Sequence, residues 1–295
     1  MRTVDAAGWT AERVVAAKDG RTVSLCIPCR DEVATIGSLV QTIRSTLVDR
    51  DGVVDELIVL DDRSTDDSAI VAASAGATVI PIGDVHERHG VGHGKGNALW
   101  ATLAVSSGDF VVWCDGDVTS FEPVWVNRLL APLLDDDDVA LVKARYDRPS
   151  HEGGGGRTTE LVARPLLSLY VPELTGLEQP LSGEIAGRRS VLEQLPFVEG
   201  WGVEIAMLVD LAQRLGPGRI AQVDLGVRTH RHRSLHELSV QAAEVMAAPL
   251  SRCKGAPPLP PAPSLHRADG SVLPLHLAER PPLVSVISHD IPPER

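Results

Sequence analysis

The residues best suited to chemistry are Asp115 and Asp117, two carboxylates separated by Gly116 at the end of the run Phe110-Val111-Val112-Trp113-Cys114. An apolar, β-branched run predicts a buried strand. Alternation along an extended segment would aim both acids to one side, and the glycine permits a sharp turn. Hard oxygen ligands with open positions beyond them suit Mg²⁺ or Mn²⁺, ions that keep water and take phosphate oxygens from a substrate. The same three residues also make an ordinary solvated turn.

Two other groups strengthen the metal reading. Gly153 to Gly156 leads through Arg157, Thr158 and Thr159 into an apolar helical stretch from Leu161 to Leu169. Backbone N–H groups at such a start cradle a phosphate or carboxylate, and an arginine clamps it with two parallel bonds. A plain flexible loop is the other reading. Further on, Arg228, His230, Arg231, His232 and Arg233 crowd the end of an apolar run. Such a cluster can be a solvated face, yet the chain carries a net charge of −12, so it reads better as an anion or metal site. The same negative charge argues against a general nucleic-acid binder.

The elements that must position these groups follow from periodicity. Strands are predicted at 23–28, 56–60, 77–80, from Phe110 onward, at 139–146 and at 220–225. Helices are predicted at 35–47, from Ser64 or Thr65 as N-cap to about Ala75, and at 97–106, 124–134, 161–169, 202–215 and 236–250. A Gly- and His-rich loop is expected from Gly83 to Gly96, and the acid run Asp135 to Asp138 as a solvated loop. Strands alternating with helices predict an α/β fold, a Rossmann-like, mostly parallel sheet flanked by helices. Ligands bind such sheets beyond the carboxyl ends of the strands, where the acidic turns fall.

The 295 residues, 43% of them hydrophobic and 23% charged, allow one large domain plus a tail. Residues 1–20 read as a lead-in, helical around 11–18, and 21–253 as the catalytic domain. Its nucleotide-binding half runs to about 120 and its acceptor-binding half from about 121. Residues 254–295 form a Pro-rich tail, with 257–263 as an extended linker and 281–287 as a segment for packing on a partner subunit. Cys26-Ile27-Pro28-Cys29 has redox-motif spacing but lacks the rest of that fold, and buried thiols are the expectation. No secretory leader or membrane-spanning run is evident, so a cytoplasmic protein without a membrane partner is expected.

Asp115-Gly116-Asp117 resembles the DxD motif of GT-A glycosyltransferases, in which a metal bridges the donor diphosphate. Five blocks narrow the resemblance: Asp55 to Asp61; Gly94-Lys95-Gly96 with Ala98-Leu99-Trp100; Gly155-Gly156-Arg157 with Thr159 to Leu166; Gln179 to Glu184; and Gly202 to Ile205. In this order, over roughly residues 23–253, they resemble the glucosyl-3-phosphoglycerate synthases, retaining GT-A enzymes of family 81. The resemblance implies transfer of glucose from a nucleoside diphosphate glucose to the 2-hydroxyl of D-3-phosphoglycerate by a metal-dependent homodimer. It places Pro28, Glu32 and Asp62 around the nucleoside, with Lys95, Asp115 and Gly116 also on the nucleotide and sugar. It assigns Asp117 and His230 to the metal and Gly156, Arg157 and Thr159 to the acceptor phosphate. It puts Glu204 on the transferred sugar and the Leu181 carbonyl near the reacting carbon. Lys95 and Arg228 would neutralise the leaving diphosphate. Front-face substitution, the leaving phosphate taking the acceptor proton, is the favoured course, with Glu204 as a covalent nucleophile the less favoured one.

Departures from the family pattern cluster near the ligands. Pro28-Cys29-Arg30-Asp31-Glu32-Val33 stands where small and apolar residues followed by Asn-Glu-Glu are usual, and Asp61-Asp62-Arg63-Ser64 replaces the typical Asp-Ser-Gly-Ser. Trp201 replaces a usual tyrosine near sugar and acceptor, and His232 an asparagine, with Arg231 beside it among the acceptor contacts. Such changes shift substrate choice, so a related transferase with another donor or acceptor is an alternative. A sugar nucleotidyltransferase is a further one, although no Gly-rich loop follows the first strand; a non-catalytic nucleotide-sugar sensor is the third.

Overall fold

The computed structural model describes residues 1–147, 156–228 and 234–287. Strand β1 (Arg2–Val4) and helix α1 (Ala11–Lys18) precede β2 (Val23–Cys29), α2 (Ile36–Ile43), β3 (Glu56–Asp61), α3 (Ser68–Ser74) and β4 (Thr78–Pro81). Then come α4 (Ile82–His89), α5 (Gly94–Val105), β5 (Phe110–Trp113), α6 (Val124–Asp135) and β6 (Leu141–Asp147). After a π-turn, Thr159–Ala163, follow α7 (Arg164–Tyr170), β7 (Ile185–Arg188), α8 (Arg189–Leu192), β8 (Phe197–Val198) and α9 (Val203–Leu215). The chain continues as β9 (Ile220–Val227), α10 (Leu235–Leu250), the hairpin β10 (Ser264–His266) and β11 (Val272–Pro274), β12 (Glu279–Arg280) and α11 (Leu283–Ile287).

Eight strands form one sheet in the order β1-β9-β6-β7-β5-β2-β3-β4. The mostly parallel sheet is as expected, with one inversion: β7 is antiparallel to both β5 and β6. A strand running backwards starts at the edge where its neighbours end. The approach to β7, Leu181 to Glu184, therefore meets the turn after β5, and this single inversion completes the site.

Separate cores fill the two faces of the sheet, one with Trp100 and Trp113, the other with Trp9 and Trp125. Cys26 belongs to the first and Cys29 to the second, because residues three apart on a strand point oppositely. Burial pushes each of these thiols up to about 12. They are structural, as expected, and cannot pair across the sheet.

Several local expectations are corrected. Helix α3 starts at Ser68, with Asp67 in the N-cap position. Ser64 and Thr65 instead bond Asp31: the Asp31 N–H donates to Ser64 Oγ, and the Thr65 N–H donates to Asp31 Oδ1 at 2.7 Å. The predicted loop 83–96 contains α4, because Ile82 and Val85 share a buried face one turn apart and Asp84 and His89 suit the helix dipole. Helix α5 begins at Gly94, three residues early, so its glycines serve contact rather than flexibility. A Cβ on Gly96 would lie 1.8 Å from the Val198 carbonyl oxygen, and one on Gly94 2.7 Å from Gly200 Cα. Strand β5 stops at Trp113, so a turn, rather than strand alternation, presents the two acids.

The acid run is solvent-facing yet gathers arginines: Asp136 pairs with Arg2, Asp137 with Arg188 and Asp138 with Arg219. The lead-in adds an edge strand, β1 lying parallel to β9. Segment 281–287, expected to pack on a partner subunit, makes contacts with α5 of its own chain. Trp100 Nε1 donates to the Pro281 carbonyl at 2.8 Å, Arg280 stacks on the Trp100 ring and Leu283 is buried. Among the described residues no helix is long and apolar enough to cross a membrane.

Candidate active site

A cavity of about 520 Å³ opens beyond the carboxyl ends of β2, β3, β5 and β6. The turn after β5 brings in Asp115, Gly116 and Asp117, and Thr35 Oγ1 pins that turn by donating to the Gly116 carbonyl at 2.7 Å. Lys95, in the first turn of α5, extends between two acids. Its Nζ lies 2.7 Å from Asp115 Oδ1 and 2.7 Å from Glu204 Oε1, in the first turn of α9. Burial opposes the charge on Lys95, but Asp115 and Glu204 outweigh it and raise its pKa.

Arg228, at the end of β9, is the second cation. Its Nε donates to Glu184 Oε1 at 2.8 Å and its Nη2 to Asp115 Oδ2 at 3.0 Å, while Asp117 Oδ1 is 3.7 Å away. Burial alone would raise the Asp115 carboxyl, yet Lys95 and Arg228 hold it down at about 2. Glu184 is 1% exposed, so Arg228 neutralises a buried charge as well as serving the cavity.

Sequence reading missed the supports beneath these groups. Lys143 on β6 is buried and donates to the Ser182 carbonyl at 2.5 Å, fixing the approach to β7. Burial pushes it down to about 8. A lone lysine amid an apolar strand was the available signal. With a folded value near 8 and an unfolded value near 10.5, the unfolded chain binds more protons between them, so stability rises with pH across that window. Melting temperatures of the wild type and Lys143→Met, taken from pH 7 to about pH 10.5, should show this rise in the wild type alone. A parallel response in both proteins would contradict it.

Gly183 packs directly against Asp115. A Cβ there would stand 2.1 Å from Asp115 Oδ2, so any side chain must displace the carboxylate or the loop. Gly183→Ala should lower kcat about 10²-fold, the scale of a 1 Å misplacement at a reacting centre. An unchanged kcat would show that the loop moves without consequence.

The residues expected to bind ligands divide around this centre. Pro28, Glu32 and Asp62 line the cavity on the β2–β3 side, joined by Arg30 and Arg63. Gly156, Arg157 and Thr159 line it beyond β6, together with Tyr146, and Leu181, Trp201 and Glu204 lie between. Gly156 holds a φ of 89°, natural for glycine, as the chain turns into the helical segment. His230, Arg231 and His232 lie outside the described residues.

The tail also reaches the cavity, which nothing in its composition signalled. Glu244 of α10, buried, accepts the Trp201 N–H and the His276 N–H, each at 2.8 Å. His276 then lies beside His93, ring centroids 5.5 Å apart, on the cavity wall.

Among the described residues no three His, Cys, Asp or Glu side chains converge as a metal cage. Asp115 commits one oxygen to Lys95 and the other to Arg228, which leaves Asp117 the better placed of the pair to hold a cation. A carboxylate facing an open cavity fits Mg²⁺ or Mn²⁺, which keep positions for water and phosphate oxygens.

A sequence profile for Glycosyl transferase family 2 matches residues 24–196. A glucosyl-3-phosphoglycerate synthase from Mycolicibacterium paratuberculosis is 47% identical over 95% of this chain and 89% of the relative. The crystal structure of glucosyl-3-phosphoglycerate synthase from Mycobacterium tuberculosis with Mn²⁺, UDP-glucose and phosphoglyceric acid superimposes with a TM-score of 0.87. It is 46% identical and covers 94% of this chain and 95% of that one. The same enzyme with Mn²⁺, UDP and glucosyl-3-phosphoglycerate gives a TM-score of 0.86 at 46% identity, with 94% and 96% covered.

Proposed function

The chain belongs to the glucosyl-3-phosphoglycerate synthases, and we propose that it moves glucose from a nucleoside diphosphate glucose to the 2-hydroxyl of D-3-phosphoglycerate, with retention. The observation that carries this reading is one cavity holding the Asp115–Asp117 turn with Lys95 and Arg228 at its centre, and the Gly156–Arg157–Thr159 corner at one end. A diphosphate suits the centre, and a small phosphorylated acid the corner.

Asp117, with His230, would hold Mg²⁺ or Mn²⁺, which when bound draws charge from the leaving diphosphate. Lys95 and Arg228 add fixed positive charge beside it, already oriented by Asp115, Glu204 and Glu184. Arg157 and the N–H groups at the helix start receive the acceptor phosphate. The Leu181 carbonyl faces the transferred sugar, and Glu204 accepts one of its hydroxyls. Glu204 is tied to Lys95 at 2.7 Å, which blunts it as a nucleophile. Front-face substitution therefore fits better: the acceptor O–H bond breaks as its oxygen joins the anomeric carbon, and the proton passes to the departing phosphate oxygen.

Cytoplasmic location is supported by the four cysteines, all free thiols, as a reducing compartment keeps them. A homodimer is supported by Leu161, Leu169 and Leu235, large apolar side chains that stay exposed in the single chain.

The deciding experiment combines the protein with Mn²⁺, glucose nucleotides of each base and 3-phosphoglycerate, and reads glucosyl-3-phosphoglycerate by mass spectrometry. Turnover that ignores 3-phosphoglycerate but responds to another polar acid would move the assignment to a related transferase. Pyrophosphate release from a nucleoside triphosphate and a sugar phosphate would point to a nucleotidyltransferase.

A further inference from the structure

Lys143 lies within β6, between Val142 and Ala144, which face the opposite core, and it is 1% exposed. An ammonium in such a place costs free energy that an uncharged side chain of similar length avoids. Replacing buried charge by apolar groups of matching volume is often neutral or stabilising, so packing alone favours methionine here. What methionine cannot do is donate a hydrogen bond. Lys143 Nζ donates to the Ser182 carbonyl at 2.5 Å, a backbone acceptor rather than a carboxylate.

That carbonyl belongs to a segment in which two consecutive peptide planes are tied. The Ser182 N–H donates to the Gln179 carbonyl at 3.1 Å. The Leu181 carbonyl shares that planar peptide and points the opposite way, with Leu181 on the cavity wall. In the next peptide Lys143 holds the Ser182 carbonyl, and the Glu184 carbonyl then accepts the Ala144 N–H at 3.1 Å as β7 joins the sheet. Between these ties lies Gly183, which has no side chain to restrict its backbone and packs against Asp115. Of the three ties, the one from Lys143 is made by a side chain, so it can be removed without touching the backbone bonds.

We infer that Lys143 is a positioning residue, acting through Ser182 to hold the Leu181 carbonyl toward the anomeric carbon of the bound donor. The inference rests on the transferase reading above and deepens it, from the groups that meet the sugar to the buried group that aims one of them. Positive charge grows at that carbon as the diphosphate leaves. A carbonyl oxygen facing it lowers the barrier most when its direction is fixed beforehand. The ammonium is tolerated there because Glu204, Glu184 and Asp115 attract it, against repulsion from Lys95.

The test compares the full-length wild type with Lys143→Met and Lys143→Gln in Mn²⁺. Calorimetry gives the affinities for UDP and GDP, and diphosphate release from UDP-glucose and GDP-glucose is followed with and without 3-phosphoglycerate. Lys143→Met should keep nucleotide affinity within about threefold of the wild type and lose about 10²-fold in kcat and kcat/KM alike, the mark of an interaction made in the transition state. Lys143→Gln, uncharged and one atom shorter than lysine, should show the same split and decides the matter where the methionine variant does not fold. An unchanged kcat in a folded variant overturns the proposal, as does nucleotide affinity that falls in step with kcat, or failure of both variants to fold. The acceptor is judged in the wild type alone. Release that ignores 3-phosphoglycerate but responds to another acid removes the acceptor assignment, while the wild-type-to-variant ratio with that acid still decides the role of Lys143. No release from either donor removes the transferase reading and this inference with it.

Discussion

Arg228→Met should unfold more easily than the wild type and lose nearly all its activity, by two separable routes. Removing the guanidinium strands Glu184, whose Oε1 loses its partner at 2.8 Å and whose Oε2 already lacks a hydrogen bond among the described residues. Breaking a buried ion pair in this way destabilises by about 3–5 kcal/mol. The second route is catalytic: a fixed positive charge vanishes beside the diphosphate position, which should lower kcat about 10²–10³-fold. Pairing the change with Glu184→Gln removes the stranded charge, so the double variant should recover stability in denaturant titration but not turnover. If the double variant regains activity, Arg228 serves the fold alone.

The same contacts set an acid limit. Asp115 is held at about 2 in the folded chain, against about 3.9 for a free aspartate. A depressed carboxylate contributes stability above its unfolded value and loses that contribution as pH falls through its folded value. Wild-type stability from this group should decline between about pH 4 and about pH 2. Losing Arg228 lifts the folded value and shrinks the contribution, so acid titrations followed by circular dichroism should separate the two proteins there.

Asp117→Asn should lose about 10³-fold in kcat/KM, about 4 kcal/mol of transition-state stabilisation, while folding almost normally without metal. Arg228 stands 3.7 Å from it, too far for a direct hydrogen bond, so that contact adds little to the fold. An amide keeps the shape yet offers a neutral oxygen to a divalent ion. The readout independent of turnover is the rise in melting temperature on adding Mn²⁺, expected in the wild type and nearly absent in the variant. An equal rise in both would move the cation to other ligands.

Much of this was legible from local patterns. The succession of apolar strands and amphipathic helices, the Asp-Gly-Asp turn and the helix start at Arg157 are set by residues close in the chain. The misread segments share one cause. Gly94 and Gly96 resemble a flexible loop until the backbone of Gly200 and Val198 is placed against them. Ser64 and Thr65 resemble caps until Asp31 comes within reach.

What the chain determined by itself was which chemical groups exist and which short elements carry them, because periodicity and turn chemistry act over a few residues. Tertiary structure alone decided the reversed direction of β7, the meeting of Arg228 with Asp115 across 113 residues, and the return of the tail to place His276 at the cavity. Those outcomes depend on which buried charges find partners and which surfaces pack most closely. Such pairings are settled by the whole folded chain, and no short stretch of it records them.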